Sequence, residues 1–154
     1  MRTLFTILAI LLSGCAAVRR GDLKADYPDE KAQVERRLKE IFDAAKEKDL
    51  NRLDSYHLYG SKFTKFAAEQ PGRQDAATGR KAEHEGLAAI NDLLMRADDL
   101  KIDVFADVAI ATFILDASFK VGTETIQRKS RSTMVVVKDM GTWKIAHEHF
   151  SPLR

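Results

Sequence analysis

The sequence has little of several features that mark specialised classes of protein. Its 154 residues include one cysteine, three prolines and eight glycines. A single cysteine excludes an intramolecular disulfide, and this content of proline and glycine excludes a collagen-like or low-complexity chain. The 25 Lys and Arg nearly balance the 23 Asp and Glu. So small an excess of positive charge argues against a general nucleic-acid binder, which needs a dense basic surface.

Long hydrophobic runs are also missing. The longest apolar stretch is residues 4–12, which Thr6 interrupts. A membrane-spanning helix needs about 20 apolar residues, so this stretch is too short for a stable span. Its length is typical of the hydrophobic region of a secretory signal, and Arg2 supplies the positive charge that precedes such a region.

The residues that follow, Leu-Ser-Gly-Cys at 12–15, resemble the lipobox of bacterial lipoproteins. The resemblance implies that residues 1–14 are removed as a signal and that Cys15 is acylated and anchors the protein to the cell envelope. Ala16, which is not Asp, implies the outer membrane where the host has two membranes. The alternative is an ordinary cleavable signal with an incidental cysteine. Residues 15–27 are polar and are predicted to tether the lipid to the domain.

The domain proper is predicted to span residues 28–154. Pro28 suits the first turn of a helix, and apolar residues then recur at helical spacing. Asp49 is predicted to cap a short second helix, a short strand is predicted at 62–66 and a loop at 69–80. The period at 81–97 predicts a third helix. The stripes are Val34, Leu38, Ile41, Phe42 and Ala45 in the first helix and Leu87, Ile90, Leu94 and Ala97 in the third.

After Asp99 the pattern changes to alternation, which predicts strands. The longest apolar row has period two and comprises Ala109, Ala111, Phe113, Leu115, Ala117, Phe119 and Val121. Turns at 122–123 and 139–141 divide the segment, and strands joined by such short turns are antiparallel. Helices at one end of the chain and strands at the other predict an α+β fold, with three N-terminal helices covering a curved, cone-shaped antiparallel sheet. The wide end of such a cone is a natural pocket.

The ending of the chain, residues 141–152, reads GTWKIAHEHFSP and resembles the SnoaL-like branch of the nuclear transport factor 2-like superfamily. Residues 41–50 resemble the first helix of those domains and its exit. The resemblance covers about residues 30–152 and implies the cone-shaped fold. The superfamily includes isomerases, cyclases, dehydratases, transport factors and assembly domains, so the resemblance does not select a reaction.

Strict alternation along the last strand puts Trp143, His147 and His149 on one face, with Lys144 and Glu148 on the other. The two histidines are therefore predicted to point into the cone. They could line a ligand pocket, bind a metal, or be structural residues with satisfied hydrogen bonds. A zinc site needs three or four ligands, and the spacing of the other histidines supplies none.

Two further regions supply candidates for the pocket. By the resemblance, Arg131 or Arg128 meets an anionic ligand from the preceding strand; the alternative is a solvated edge charge. By the same resemblance, the region of Tyr56, His57 and Tyr59 rims the pocket, whereas the alternative places the two tyrosine rings at the edge of the core.

The sequence predicts a pocket domain that binds a small, partly apolar ligand, and it calls for no cofactor. A second hypothesis is a non-catalytic homodimer that pairs through the outer face of the sheet. The residues in the row from Val108 through Ile110 to Ile114 are more apolar than is usual on a solvent-exposed face. The third is a cyclase- or isomerase-type enzyme. That hypothesis needs a buried carboxylate, and strict alternation places none at an inward position.

Overall fold

The structure is a computed structural model, and it describes residues 22–68 and 70–153. The predicted signal, Cys15 and the first part of the tether lie outside the described residues. The elements along the chain are α1 (Pro28–Glu47), α2 (Leu50–Ser55), β1 (Thr64–Phe66), α3 (Ala76–Ala89), β2 (Asn91–Phe105), β3 (Val108–Val121), β4 (Glu124–Asp139) and β5 (Thr142–Pro152).

The first two helices form where their capping residues and apolar stripe predict them. Pro28 begins α1, with Asp29 and Glu30 at the positive end of the helix dipole. The side chain of Asp49 caps α2 by accepting a hydrogen bond of 3.1 Å from the backbone N–H of Arg52. The side chains that α1 buries are Val34, Leu38, Ile41, Ala44 and Ala45.

The strands form one five-stranded sheet in the order β1-β5-β4-β3-β2. The pairs from β2 to β5 are antiparallel, and β1 adds to β5 in parallel. The turns predicted at 122–123 and 139–141 correctly indicated this arrangement for β3, β4 and β5. Gly122 and Gly141 adopt φ of 59° and 81° in the β3–β4 and β4–β5 hairpins, a conformation that glycine tolerates best. The α+β class and the three-helix cover are thus confirmed.

The core lies between α1 and the inner face of the sheet. The predicted apolar row of β3 faces inward, and its members Ala109, Ala111 and Phe113 are buried. The phenyl ring of Phe113 meets that of Phe42 edge-on at 6.1 Å. Burying this apolar surface is the main stabilising contribution to the fold.

The predicted boundaries of the third helix are wrong. The helix starts earlier, at Ala76, because the Asp75 side chain accepts a hydrogen bond of 2.8 Å from the N–H of Thr78. It also ends earlier, because β2 already begins at Asn91. The apolar residues of 93–97 fit both periods, and pairing with β3, Ala97 opposite Leu115, decides for the strand.

None of the helices within the described residues is both long and apolar enough to cross a membrane.

Candidate functional site

A bulge in β5 determines which of its side chains point inward. Val135 pairs with His147 and Val136 with Ile145, so Ala146 is an extra residue without a partner on β4. A bulge reverses the alternation beyond it. Trp143 and Ile145 point inward before the bulge, and Glu148 points inward after it.

The predicted orientation of the two histidines is therefore wrong. His147 and His149 point to the outer face, where both imidazole rings contact the half-exposed Phe66. His147 Nδ1 is also hydrogen-bonded to Thr64 Oγ1 at 2.8 Å. Glu148, assigned to solvent by strict alternation, is instead 2% exposed.

Glu148 belongs to a cluster of four ionisable side chains, which we call the buried tetrad: His57, Lys65, Glu83 and Glu148. Lys65 Nζ lies 2.8 Å from Glu148 Oε2 and 3.3 Å from Glu83 Oε1. His57 Nε2 lies 3.6 Å from Glu148 and 3.7 Å from Glu83. The members come from β1, α3, β5 and the segment after α2, so the tetrad joins four parts of the fold.

The backbone explains why His57 reaches this position. Leu58 N–H donates to the Ile145 carbonyl and Ile145 N–H donates to the Tyr56 carbonyl, each over 2.8 Å. These bonds attach the segment that carries His57 directly to β5, just before the bulge. The Tyr59 ring stacks on the imidazole, with centroids 4.7 Å apart. The Tyr59 hydroxyl donates to Glu83 over 3.1 Å.

The contacts of His57 indicate an imidazolium. Nδ1 donates to the Leu53 carbonyl oxygen over 3.0 Å, because a carbonyl only accepts. Nε2 faces two carboxylates, an arrangement that is favourable only when it carries a proton as well. Burial by itself lowers the pKa of His57, but the nearby carboxylates of Glu148 and Glu83 outweigh burial and raise it.

The buried ion pair shifts both of its partners toward their charged forms. Burial favours the neutral acid of Glu148, but the Lys65 ammonium and the His57 imidazole outweigh it and lower the pKa of Glu148. Burial likewise lowers the pKa of Lys65, and the charges of Glu148 and Glu83 reverse the direction and raise it. Two carboxylates, one ammonium and one imidazolium give the tetrad a balanced charge.

Three members of the tetrad carry side chains that could also bind a metal ion. His57, Glu83 and Glu148 each offer a ligand atom, and these atoms lie within 4.8 Å of one another. The Lys65 ammonium is bonded to both carboxylates. It therefore supplies the positive charge that a metal ion would otherwise supply at this place.

A separate open cleft lies on the inner face of the sheet, toward the β3–β4 hairpin. Its volume is about 510 Å³. Apolar side chains from β3 and β5 line it, namely Leu115, Ala117, Phe119 and Phe150, and polar residues of β4 line one edge, namely Gln127, Arg128, Lys129 and Ser130. Phe150 also lies between the cleft and the tetrad, since its ring centroid is 5.6 Å from Lys65 Nζ.

The six side chains predicted to form one pocket are not brought together at this cleft. Trp143 is in the core, where its indole N–H donates to Gln33 over 3.2 Å. Arg131 lies in the outward row of β4, opposite Ile114 and Ser151. Arg128, the alternative to Arg131, is the arginine that lines the cleft. His57 and Tyr59 belong to the tetrad and its surroundings, and His147 and His149 lie outside.

Comparison with known proteins identifies the family of the domain. A family model described as a SnoaL-like domain matches residues 34–154. The chain belongs to the SnoaL-like family. A search of curated proteins finds no match.

Solved structures show that this SnoaL-like domain has the nuclear transport factor 2-like fold. A proposed dehydratase of that family from Streptomyces avermitilis is 17% identical, with a TM-score of 0.76 over 82% of this chain and 99% of its own. A superfamily member from Salmonella enterica is 13% identical, with a TM-score of 0.73 over 84% and 94%. The CamKII hub homology domain from Chlamydomonas reinhardtii is 16% identical, with a TM-score of 0.68 over 81% and 98%. At these identities the likeness establishes the fold alone.

The protonation of His57 leads to a testable dependence of stability on pH. Because the folded-state pKa lies above the usual value of about 6.5, the contribution of the imidazolium is fully present below that pH and is lost as the pH rises through the folded-state pKa. We expect the difference in free energy of unfolding between the wild type and His57→Gln to shrink over this interval. Urea unfolding between about pH 6 and pH 9 measures it. A difference that stays constant would show that His57 carries no extra proton.

Proposed function

We propose that this protein is a lipid-anchored envelope protein whose SnoaL-like domain binds a small, partly apolar molecule. The observation that carries the proposal is the open cleft of about 510 Å³ on the inner face of the sheet. Ligand pockets for small molecules have volumes of roughly 300 to 1,000 Å³ and mostly apolar walls, with a few polar groups that orient the ligand.

The lining of the cleft supports an amphipathic occupant. Leu115, Ala117 and Phe119 are consecutive inward positions of β3 and form an apolar floor. The polar edge includes Ser130, which pairs with Leu115 across the sheet, and Arg128, whose guanidinium lies 5.7 Å from the Phe119 ring centroid. A ligand with an apolar body and one polar edge matches this division.

The first described residues and the cleft lie toward opposite ends of the domain. Leu23 and Asp26 line a small surface pocket together with Val104 and Phe105, the last residues of β2 before the β2–β3 turn. The cleft lies near the other end of β3. A chain tethered through Cys15 would therefore present the cleft away from the point where the tether enters the domain.

Filling the cleft tests the ligand proposal. Ala117→Trp puts an indole on the floor of the cleft, so we expect it to weaken binding of the neutral apolar dye N-phenyl-1-naphthylamine about tenfold or more, a change of about 1.4 kcal/mol. Ser118→Trp is the matched control, because Ser118 is the next residue of β3 and faces the outer side. Fluorescence titration measures both. Saturable dye binding that Ala117→Trp leaves unchanged would contradict this use of the cleft.

A cysteine substitution tests the anchor. We expect Cys15→Ser to move the protein from the membrane fraction to the soluble fraction, because the thiol that carries the lipid is lost. Ser13→Ala is the matched control, since it keeps a small residue before the cleavage site. Fractionation with mass spectrometry of the N-terminal peptide measures both effects. An unmodified Cys15 in the wild-type protein would contradict the anchor.

Homodimerisation through the outer sheet face is a second candidate function. Val108 and Ile110 are 39% and 36% exposed, and Ile110 neighbours Val135 in the same outward-facing row. Exposed aliphatic side chains in one patch are typical of protein contact surfaces. Hub and association domains of other proteins share the fold, which agrees with an assembly role.

A charge in this patch tests the second candidate. We expect Ile110→Lys to convert a dimer into monomers, because an ammonium would be desolvated at the centre of the interface. Val121→Lys is the control, because Val121 is 46% exposed at the far end of the same strand. Sedimentation velocity of the domain from Asp22 onward measures the state. A monomeric wild type at high concentration would contradict this candidate.

A further inference from the structure

The carboxylate of Glu83 is surrounded by donors that belong to other parts of the fold. The Tyr59 hydroxyl lies 3.1 Å from Oε2, Lys65 Nζ lies 3.3 Å from Oε1, and His57 Nε2 lies 3.7 Å from Oε2. None of these three residues is on α3, the helix that carries Glu83. The phenol and the ammonium are within hydrogen-bond distance of this carboxylate, and the imidazole, which Glu83 shares with Glu148, is at ion-pair distance. Donors of these types are common in anion-binding sites.

The helix that supplies the carboxylate has few apolar attachments. Within α3, Gly79 and Leu87 are the buried residues. Polar contacts add to them: Arg80 and His84 both contact Asp54, at 2.6 Å and 2.8 Å. An element held mainly by partly exposed polar contacts opens at a lower free energy than the core does.

The position of the Glu83 carboxylate is also near solvent. The side chain of Glu83 is 17% exposed, against 2% for Glu148 and 0% for His57. The space that the Glu83 carboxylate occupies is therefore open to water on one side and bounded by the three donors on the other. If α3 moved away, this space would become accessible to a ligand from solution.

The charge balance indicates what would replace Glu83. Without it, the buried Lys65 ammonium keeps Glu148 as its carboxylate partner, and a protonated His57 would have no balancing charge. A buried charge without a partner is strongly unfavourable. An anion in the place of Glu83 restores the balance, and the Glu83 carboxylate in this structure shows that a planar carboxylate fits the donors.

We propose that Tyr59, His57 and Lys65 form a binding site for a small carboxylate ligand, and that Glu83 of α3 occupies this site in the closed state as an internal ligand. An external carboxylate competes with Glu83 and releases α3. This site is distinct from the apolar cleft and does not depend on the function proposed for the cleft. Because Glu83 is attached to the protein, its effective concentration is high, so a simple external carboxylate binds the wild type weakly.

Removing the internal ligand tests the proposal, with sodium acetate as the probe and sodium chloride at equal ionic strength as the reference. Glu83→Ala leaves the site open, so we expect acetate to raise its melting temperature saturably, by about 5 °C at saturation. Glu85→Ala is the matched control, because Glu85 lies on the same helix and its side chain is 68% exposed. We expect no acetate-specific change there. An equal response of Glu83→Ala to acetate and chloride would overturn the proposal.

A second measurement, on the wild type, tests the proposal if Glu83→Ala does not fold in sodium chloride. We expect molar acetate to speed amide hydrogen exchange in α3 several-fold relative to α1, and molar chloride to leave this ratio unchanged. Recovery of folded Glu83→Ala by acetate also supports the site. A Glu83→Ala variant unfolded in both salts, together with wild-type α3 exchange that acetate does not change, would overturn it.

Discussion

The ion pair between Lys65 and Glu148 is the interaction on which the arrangement of this fold depends. Its 2.8 Å contact joins β1 to β5 beneath α3. Burying two charges costs free energy that only close geometry and further polar partners offset. Here Glu83 and His57 provide those partners, so the short edge strand, the last long strand and the third helix are held by one neutral cluster.

The pair also separates two kinds of environment on the inner face of the sheet. On one side of Phe150 lies the charged tetrad, and on the other lies the apolar cleft. Because the charges of the cluster pair with one another, the adjoining surface is left free to take a partly apolar molecule. In the account proposed here, the cleft serves the ligand, and Glu83 holds α3 closed over a second, polar site.

Much of the fold could be predicted from the sequence, and the limits have a common physical cause. Local signals located α1, the Asp49 cap and the β3–β4 and β4–β5 hairpins, because caps, glycines and periodicity act within a few residues. The exchange of helix for strand at 91–97 depends on pairing with β3, which is a long-range contact. The inward turn of Glu148 depends on one extra residue, Ala146, opposite β4. Strict alternation therefore assigned His147 and His149 to the wrong face and missed the tetrad.

A double-mutant cycle between Lys65 and Glu148 measures how strongly the fold depends on their ion pair. We expect Lys65→Met and Glu148→Leu each to cost roughly 3 to 5 kcal/mol of unfolding free energy, because each leaves a buried charge without its main partner. The double variant should lose much less than the sum, with a coupling energy of about 2 kcal/mol or more, measured by urea unfolding at neutral pH. A coupling energy within about 0.5 kcal/mol of zero would mean that the two losses simply add, and would contradict the account.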